Sequence, residues 1–188
     1  ASIMSKYSFN ITIRFVTFSG EEQGLLGSAA YAAEARVNGD NIIGVLNADM
    51  ISYAVTHNDG AQLKVYENTD SEWLYTFLVN VENLYHQYLN LTLIHSGYTW
   101  GSDHNSFWNE GYDAIFTFEF TMTPYYHTPQ DTINHTNTSY AVKNTKLLVA
   151  TLTELTAPHG SSNPPQTPVL SGPTLGGTET TYSYTVVT

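Results

Sequence analysis

The chain has 188 residues, 41% of them hydrophobic, with 6 Lys+Arg against 17 Asp+Glu and a formal net charge of -11, which fits one domain of about 100 to 200 residues with a short appendage. This composition excludes collagen, a coiled coil and wholesale disorder. A pI near 4.8 repels phosphate backbones and anionic lipid, so a nucleic-acid partner and polybasic membrane docking are not expected, whereas cation binding is. No run approaches the ~18 consecutive apolar residues of a membrane span, and Ala1 to Tyr7 does not read as a signal peptide.

Zero cysteines mean that any metal must be held by His and carboxylates. Four sequons, Asn10-Ile11-Thr12, Asn90-Leu91-Thr92, Asn134-His135-Thr136 and Asn137-Thr138-Ser139, together with few basic residues, point to an extracellular protein.

In chain order, Phe9 to Phe18 alternates apolar and polar residues and predicts a strand ending at Ser19-Gly20. Leu26, Ala30, Ala33 and Val37 recur at helical spacing before the break at Asn38-Gly39-Asp40. Ile42 to Leu46 then predicts a buried strand with Asn47-Ala48-Asp49 at its carboxyl end. Leu63 to Tyr66 predicts a short strand. Asp70-Ser71-Glu72 predicts the cap of a helix whose Trp73, Phe77, Val81, Leu84 and Tyr88 form one apolar stripe. Leu91 to Ile94 and Ala114 to Phe118 predict further strands, flanking a polar segment with Ser102-Asp103-His104, and a last helix carries Ala141, Leu148, Leu152 and Leu155.

Alternating strands and helices imply an α/β fold: a three-layer α/β/α sandwich around a mostly parallel mixed sheet over residues 1–157. Residues 158–167, with the pair Pro164-Pro165, read as a linker. Residues 168–188, with the alternating Thr181 to Val186, read as the beginning of an immunoglobulin-like β-sandwich.

Glu21-Glu22, Asp49 and His127 fall where an α/β sheet places its active site, at the carboxyl ends of strands. Adjacent carboxylates repel unless a cation or a shared proton offsets the charge, which argues for a metal. Zinc takes His nitrogen and carboxylate oxygen and leaves a position open for water. Each residue has a blander reading: Glu21-Glu22 as solvated acids opening a helix, Asp49 in a strand-end turn, and His127 as a surface imidazole before Thr128-Pro129. Ser102-Asp103-His104 cannot be a hydrolase triad, because three consecutive residues cannot line up as nucleophile, base and orienter. His57, His86, His95, His135 and His159 lie in no motif and read as surface residues, and Asp131 reads as a turn cap.

Four segments occur in order: Phe18 to Ser28 (Phe-Ser-Gly-Glu-Glu-Gln-Gly-Leu-Leu-Gly-Ser), Asn47 to Ile51, Ser102 to His104, and Tyr126 to Thr132. Over about residues 9–156 this set resembles the co-catalytic dizinc aminopeptidases, the family of secreted leucyl aminopeptidases, aminopeptidase S and glutamate carboxypeptidase II. The resemblance implies Glu21 as the general base, Glu22 and His127 as ligands of one zinc, and Asp49 as a ligand of the other. It implies Ser102 as a support that orients His127, and Tyr98 as a phenol beside the developing oxyanion. Family members also carry an upstream His-x-Asp segment and a bridging Asp with no counterpart here. The chain is therefore expected to be part of a longer enzyme with two zinc ions, retaining an incomplete ligand set and binding zinc poorly alone.

The function implied is removal of amino-terminal residues from peptides. A carboxypeptidase or glutaminyl cyclase of the same fold would keep similar ligands with another pocket, and a peptidase fold without its ligands would serve as a non-catalytic binding module.

Overall fold

The computed structural model describes residues 1–156 and the strands at 169–170 and 184–187. A four-stranded sheet is formed by β2 (Val45–Ala48), β5 (Ala114–Glu119), β3 (Gln62–Glu67) and β4 (Thr92–His95), in that order. β2 runs parallel to β5 and β3 parallel to β4, while β5 and β3 are antiparallel. The sheet is thus mixed and mostly parallel, as the alternation of elements predicts. Helices α2 (Glu72–Leu89) and α4 (Thr138–Thr156) cover one face; α1 (Leu26–Asn38) and α3 (His104–Asn109) cover part of the other.

β5 is central, and its first four residues are all buried, because helices lie on both of its faces. β3 alternates half-buried and buried positions, with Leu63 and Val65 sealed against Leu74, Leu78, Tyr140 and Leu147. Truncating one of these leucines to alanine costs about 2–5 kcal/mol.

Several expected faces are rotated. In α2 the buried set is Leu74, Leu78, Val81, Glu82 and Leu89, whereas Trp73, Leu84 and Tyr88 are exposed. Trp73 sits at the boundary, where its indole N–H donates to Asp113 at 2.5 Å, so an amphipathic ring does not have to be core. In α1 the buried residues are Ser28, Ala32 and Ala35, and Leu26 and Val37 are exposed. An Ala-rich helix offers several equally apolar stripes, and the aromatic rings of Phe18, Tyr31 and Phe107 settle which one faces inward. In α4 polar groups take the buried face: Tyr140 Oη donates to the Gln62 carbonyl at 2.6 Å and Asn144 Nδ2 to the Ile51 carbonyl at 2.7 Å.

The strand expected over Phe9 to Phe18 shrinks to β1 (Arg14–Phe15), and it joins the antiparallel pair β6 (Val169–Leu170) and β7 (Tyr184–Val187) instead of the main sheet. The alternation is real, since Phe9 and Ile13 are buried with Met4 and pack with Phe15, Val149 and Leu152. A ladder also needs a partner's N–H and C=O in register, which side-chain pattern cannot report. The buried strand expected over Ile42 to Leu46 begins only at Val45; Ile42, Val45 and Leu46 are half-buried and Ile43 is exposed, because β2 is an edge strand paired only with β5 in this sheet. The linker at 158–167 and most of the sandwich segment lie outside the described residues.

Candidate functional site

Glu21 and Glu22 lie in a turn before α1. The turn folds back on itself: the N–H groups of Gly24 and Leu25 donate to the Glu21 carbonyl at 3.0 and 2.8 Å, and Gly27 N–H donates to the Ser19 carbonyl at 2.9 Å. Gly24 has φ +104°, in the region that favours glycine, and a Cβ at Gly27 would stand 2.6 Å from the Ser19 oxygen. The acids therefore precede the helix by a full turn, and α1 has no acidic residue in its first turn, so they are not a helix-opening pair.

Asp49 follows β2 directly. Its Oδ2 accepts the hydroxyl of Ser102 at 2.9 Å, and Ser102 Oγ in turn accepts from Asn47 Nδ2 at 2.8 Å. Ser102, buried just before α3, thus orients Asp49 and not His127, a correction to the expected partner. The cause is strand pleating: Asn47 and Asp49 project on one face of β2, and the start of α3 packs on that face.

His127 arrives on the loop after β5, and its Nε2 lies 2.6 Å from Oε1 of Glu22. Tyr126 stacks on the His127 ring at 3.7 Å. Glu21, Glu22, Asp49, Asp103, Tyr126 and His127 all line one cleft of about 1610 Å³. Burial, and then the negative charge of Glu22, Asp49 and Asp103, pushes the Glu21 carboxyl above its ordinary range. The Tyr126 phenol is pushed up by burial and then by Glu22, Glu21 and Asp49.

Backbone strain gathers at the same places. Of the four non-glycine residues at positive φ among the described residues, Leu25 (60°), Met50 (51°) and His127 (57°) belong to the three segments that bring these groups together; Asn90 caps α2. Such conformations cost about 1–3 kcal/mol each and persist where the surroundings fix them.

Tyr98 does not line the cleft; it is largely exposed and stacks on Trp108 at 5.4 Å. The one-residue difference between a tyrosine entering the cleft and one lying on its rim is not visible in a loop sequence. Asp131 has its N–H in the turn closed on the Thr128 carbonyl, with its side chain on the cleft. His95 and His86 are exposed rings paired with the buried Glu67 and Glu82.

Sequence reasoning missed Glu119, which is buried at the end of β5 and accepts the N–H groups of Tyr53 at 2.8 Å and Thr123 at 2.9 Å. It clamps the loop that follows Asp49 to the loop that leads to His127. An acid closing an apolar strand is the same signal that marked Asp49.

The donor types suit zinc, being carboxylate oxygens and imidazole nitrogen without thiolate. Among the described residues no three His, Cys, Asp or Glu side chains converge on one point. The geometry therefore pairs Glu22 with His127 and leaves Asp49 as a separate donor in the same cleft.

The chain is similar to "Probable leucine aminopeptidase 1" of Trichophyton verrucosum, 33% identical over 150 residues, covering 77% of this chain and 40% of the relative. Leucine aminopeptidase 1 of Trichophyton equinum is 32% identical over 150 residues, with the same coverage. Among solved structures, LapA aminopeptidase of Legionella pneumophila superposes with a TM-score of 0.65 at 27% identity, over 76% of this chain and 38% of that one. BSAP, a zinc aminopeptidase from Bacillus subtilis, has a TM-score of 0.71 at 22% identity, over 86% and 40%, and supports the fold. The chain thus spans about 40% of the length of the curated relatives it matches. Residues 1–152 match Peptidase family M28, and the chain belongs to that family.

Proposed function

We propose that this chain carries part of the active site of a zinc-dependent aminopeptidase that removes residues from the amino termini of peptides. The observation that supports it most is the Glu22–His127 pair at 2.6 Å beside Glu21, in a cleft that also holds Asp49. In this reading Glu22 and His127 hold one zinc ion and Asp49 holds a second, with Ser102 fixing the Asp49 carboxylate. Bound zinc would supply Lewis-acid polarisation of the scissile carbonyl.

The protein's own groups do the rest. Glu21, whose carboxyl is raised by burial and by neighbouring acids, accepts the proton of the attacking water. Tyr126, on the cleft wall beside His127, replaces Tyr98 as the phenol in reach of a developing oxyanion.

Among the described residues no helix is long and apolar enough to cross a membrane. The sequons and the scarcity of basic residues support an extracellular enzyme acting on free peptides. Zinc titration combined with hydrolysis of leucine anilide by the full-length enzyme tests the assignment: zinc-dependent release of the anilide is expected, and its absence in the zinc-loaded enzyme would refute it.

A further inference from the structure

Lys64 stands on the floor of the cleft, in line with its acidic edge. Ala48 pairs with Thr117, so Asp49 comes beside Phe118, and Phe118 pairs with Lys64 across the antiparallel ladder. Side chains at paired positions share a face. The contacts agree: Asn47 and Asp49 both meet Ser102, His104 next to it stacks on Phe116 at 4.7 Å, and Phe116 stacks on Tyr66 at 5.5 Å. With strands ~4.8 Å apart, the Lys64 backbone lies about 10 Å from that of Asp49.

Two Lys/Arg side chains line the cleft, Arg14 and Lys64. Arg14 is bound by Asp40 and by Tyr31 Oη, each at 2.9 Å. Lys64 has no carboxylate partner among the described residues, and its Nζ lies 5.9 Å from the ring centres of both Phe118 and Phe120. Lys64 is partly buried, and among the described residues its ammonium faces aromatic rings rather than an acid. Aromatic faces offset its lost hydration only in part.

We propose that Lys64 is an anion subsite that takes a carboxylate of the substrate whose amino-terminal end lies in the cleft beside Glu21, Glu22 and Asp49. The proposal rests on the aminopeptidase reading and adds a substrate class to it. The substrate is a peptide with a carboxylate within a residue or two of its amino terminus, because extended chain advances about 3.3–3.6 Å per residue and the lysine arm spans part of the gap. That carboxylate is either the side chain of an acidic first residue or the free terminus of a very short peptide.

The test uses the full-length enzyme with zinc and four probes: leucine anilide and Leu-Gly amide, which lack a carboxylate; glutamate anilide, which carries it on the side chain; and Leu-Gly, which carries it at the terminus. Calorimetric titration with each probe, with and without zinc, reads binding apart from turnover. Lys64→Met is expected to raise KM and Kd about 10-fold, or ~1.4 kcal/mol, for the carboxylate probe that uses the subsite. The other probes should stay within about twofold. Lys64→Arg should retain affinity, and added salt should weaken binding of the same probe. Thermal melts of Lys64→Met and Lys64→Gln separate a folding defect from a lost subsite.

Whichever of glutamate anilide or Leu-Gly responds identifies the source of the carboxylate. Equal binding of all four probes by the unmodified protein, or equal loss for all four in Lys64→Met and Lys64→Gln, overturns the proposal. If no probe is hydrolysed, the aminopeptidase reading fails while the calorimetric comparison still decides the subsite.

Discussion

Nε2 of His127 meets Oε1 of Glu22 at 2.6 Å although 105 residues separate them in the chain. Glu21 lies one residue from this contact and lines the same cleft without joining the pair. If the roles divide as proposed, Glu22→Gln and His127→Ala in the full-length enzyme each lower zinc content at a fixed free-zinc concentration. Glu21→Gln keeps the metal and lowers turnover by about 100-fold or more. Metal analysis beside leucine anilide kinetics checks this, and loss of zinc in Glu21→Gln with retention in Glu22→Gln would show the two glutamates exchanged.

Ser102 donates to Asp49 at 2.9 Å and accepts from Asn47 at 2.8 Å, so its hydroxyl fixes the rotamer of one carboxylate donor. In the full-length enzyme Ser102→Ala is expected to weaken zinc binding by about 10-fold or more with little change in secondary structure. Competition with a chromophoric chelator measures the first quantity and circular dichroism the second. Unchanged zinc affinity would remove Asp49 from the ligand set or Ser102 from its support.

Glu119 holds the Tyr53 and Thr123 N–H groups with its two oxygens. Glu119→Gln places an amide NH2 against one of those N–H groups. The expected loss is about 1.5–3 kcal/mol, the value of a hydrogen bond to a charged group. Denaturant unfolding measures it, and hydrogen exchange should localise the loosening to the loops at 50–53 and 120–127.

His104 is fully buried, donates through Nε2 to the Thr99 carbonyl at 2.9 Å, and stacks on Phe116. Burial lowers its pKa from 6.5 to about 4. A folded value below the unfolded one means that the unfolded chain binds the proton first. The stability associated with neutral His104 is therefore complete above about pH 6.5 and is lost as pH falls toward 4. An imidazole held neutral down to about pH 4 instead of 6.5 corresponds to about 3 kcal/mol. His104→Phe keeps the stack and removes the titration, so melts of the two proteins from pH 7 to 4 should converge by about that amount. Parallel curves would contradict the burial argument.

The sequence by itself determined the order of elements and the fold class and marked the candidate site segments, because these depend on local pattern. Alternation at Leu63 and Val65, the apolar run into Asp49, and the glycines bracketing Glu21-Glu22 are all local. Only the tertiary structure decided which face of each helix is core, since Leu74 and Trp73 are neighbours of similar hydrophobicity and the sheet accepts one of them. It also decided partners: Ser102 reaches Asp49 because two pleated positions of β2 face the start of α3, and Glu119 joins two loops that are distant in sequence. That Tyr126 lines the cleft and Tyr98 does not was decided for the same reason, because which of two loop tyrosines turns into a cleft depends on backbone direction at positions such as His127, with φ 57°. Residue type and spacing carry the chemistry that is available; direction and register, set by hydrogen bonding and packing between distant segments, decide which groups meet.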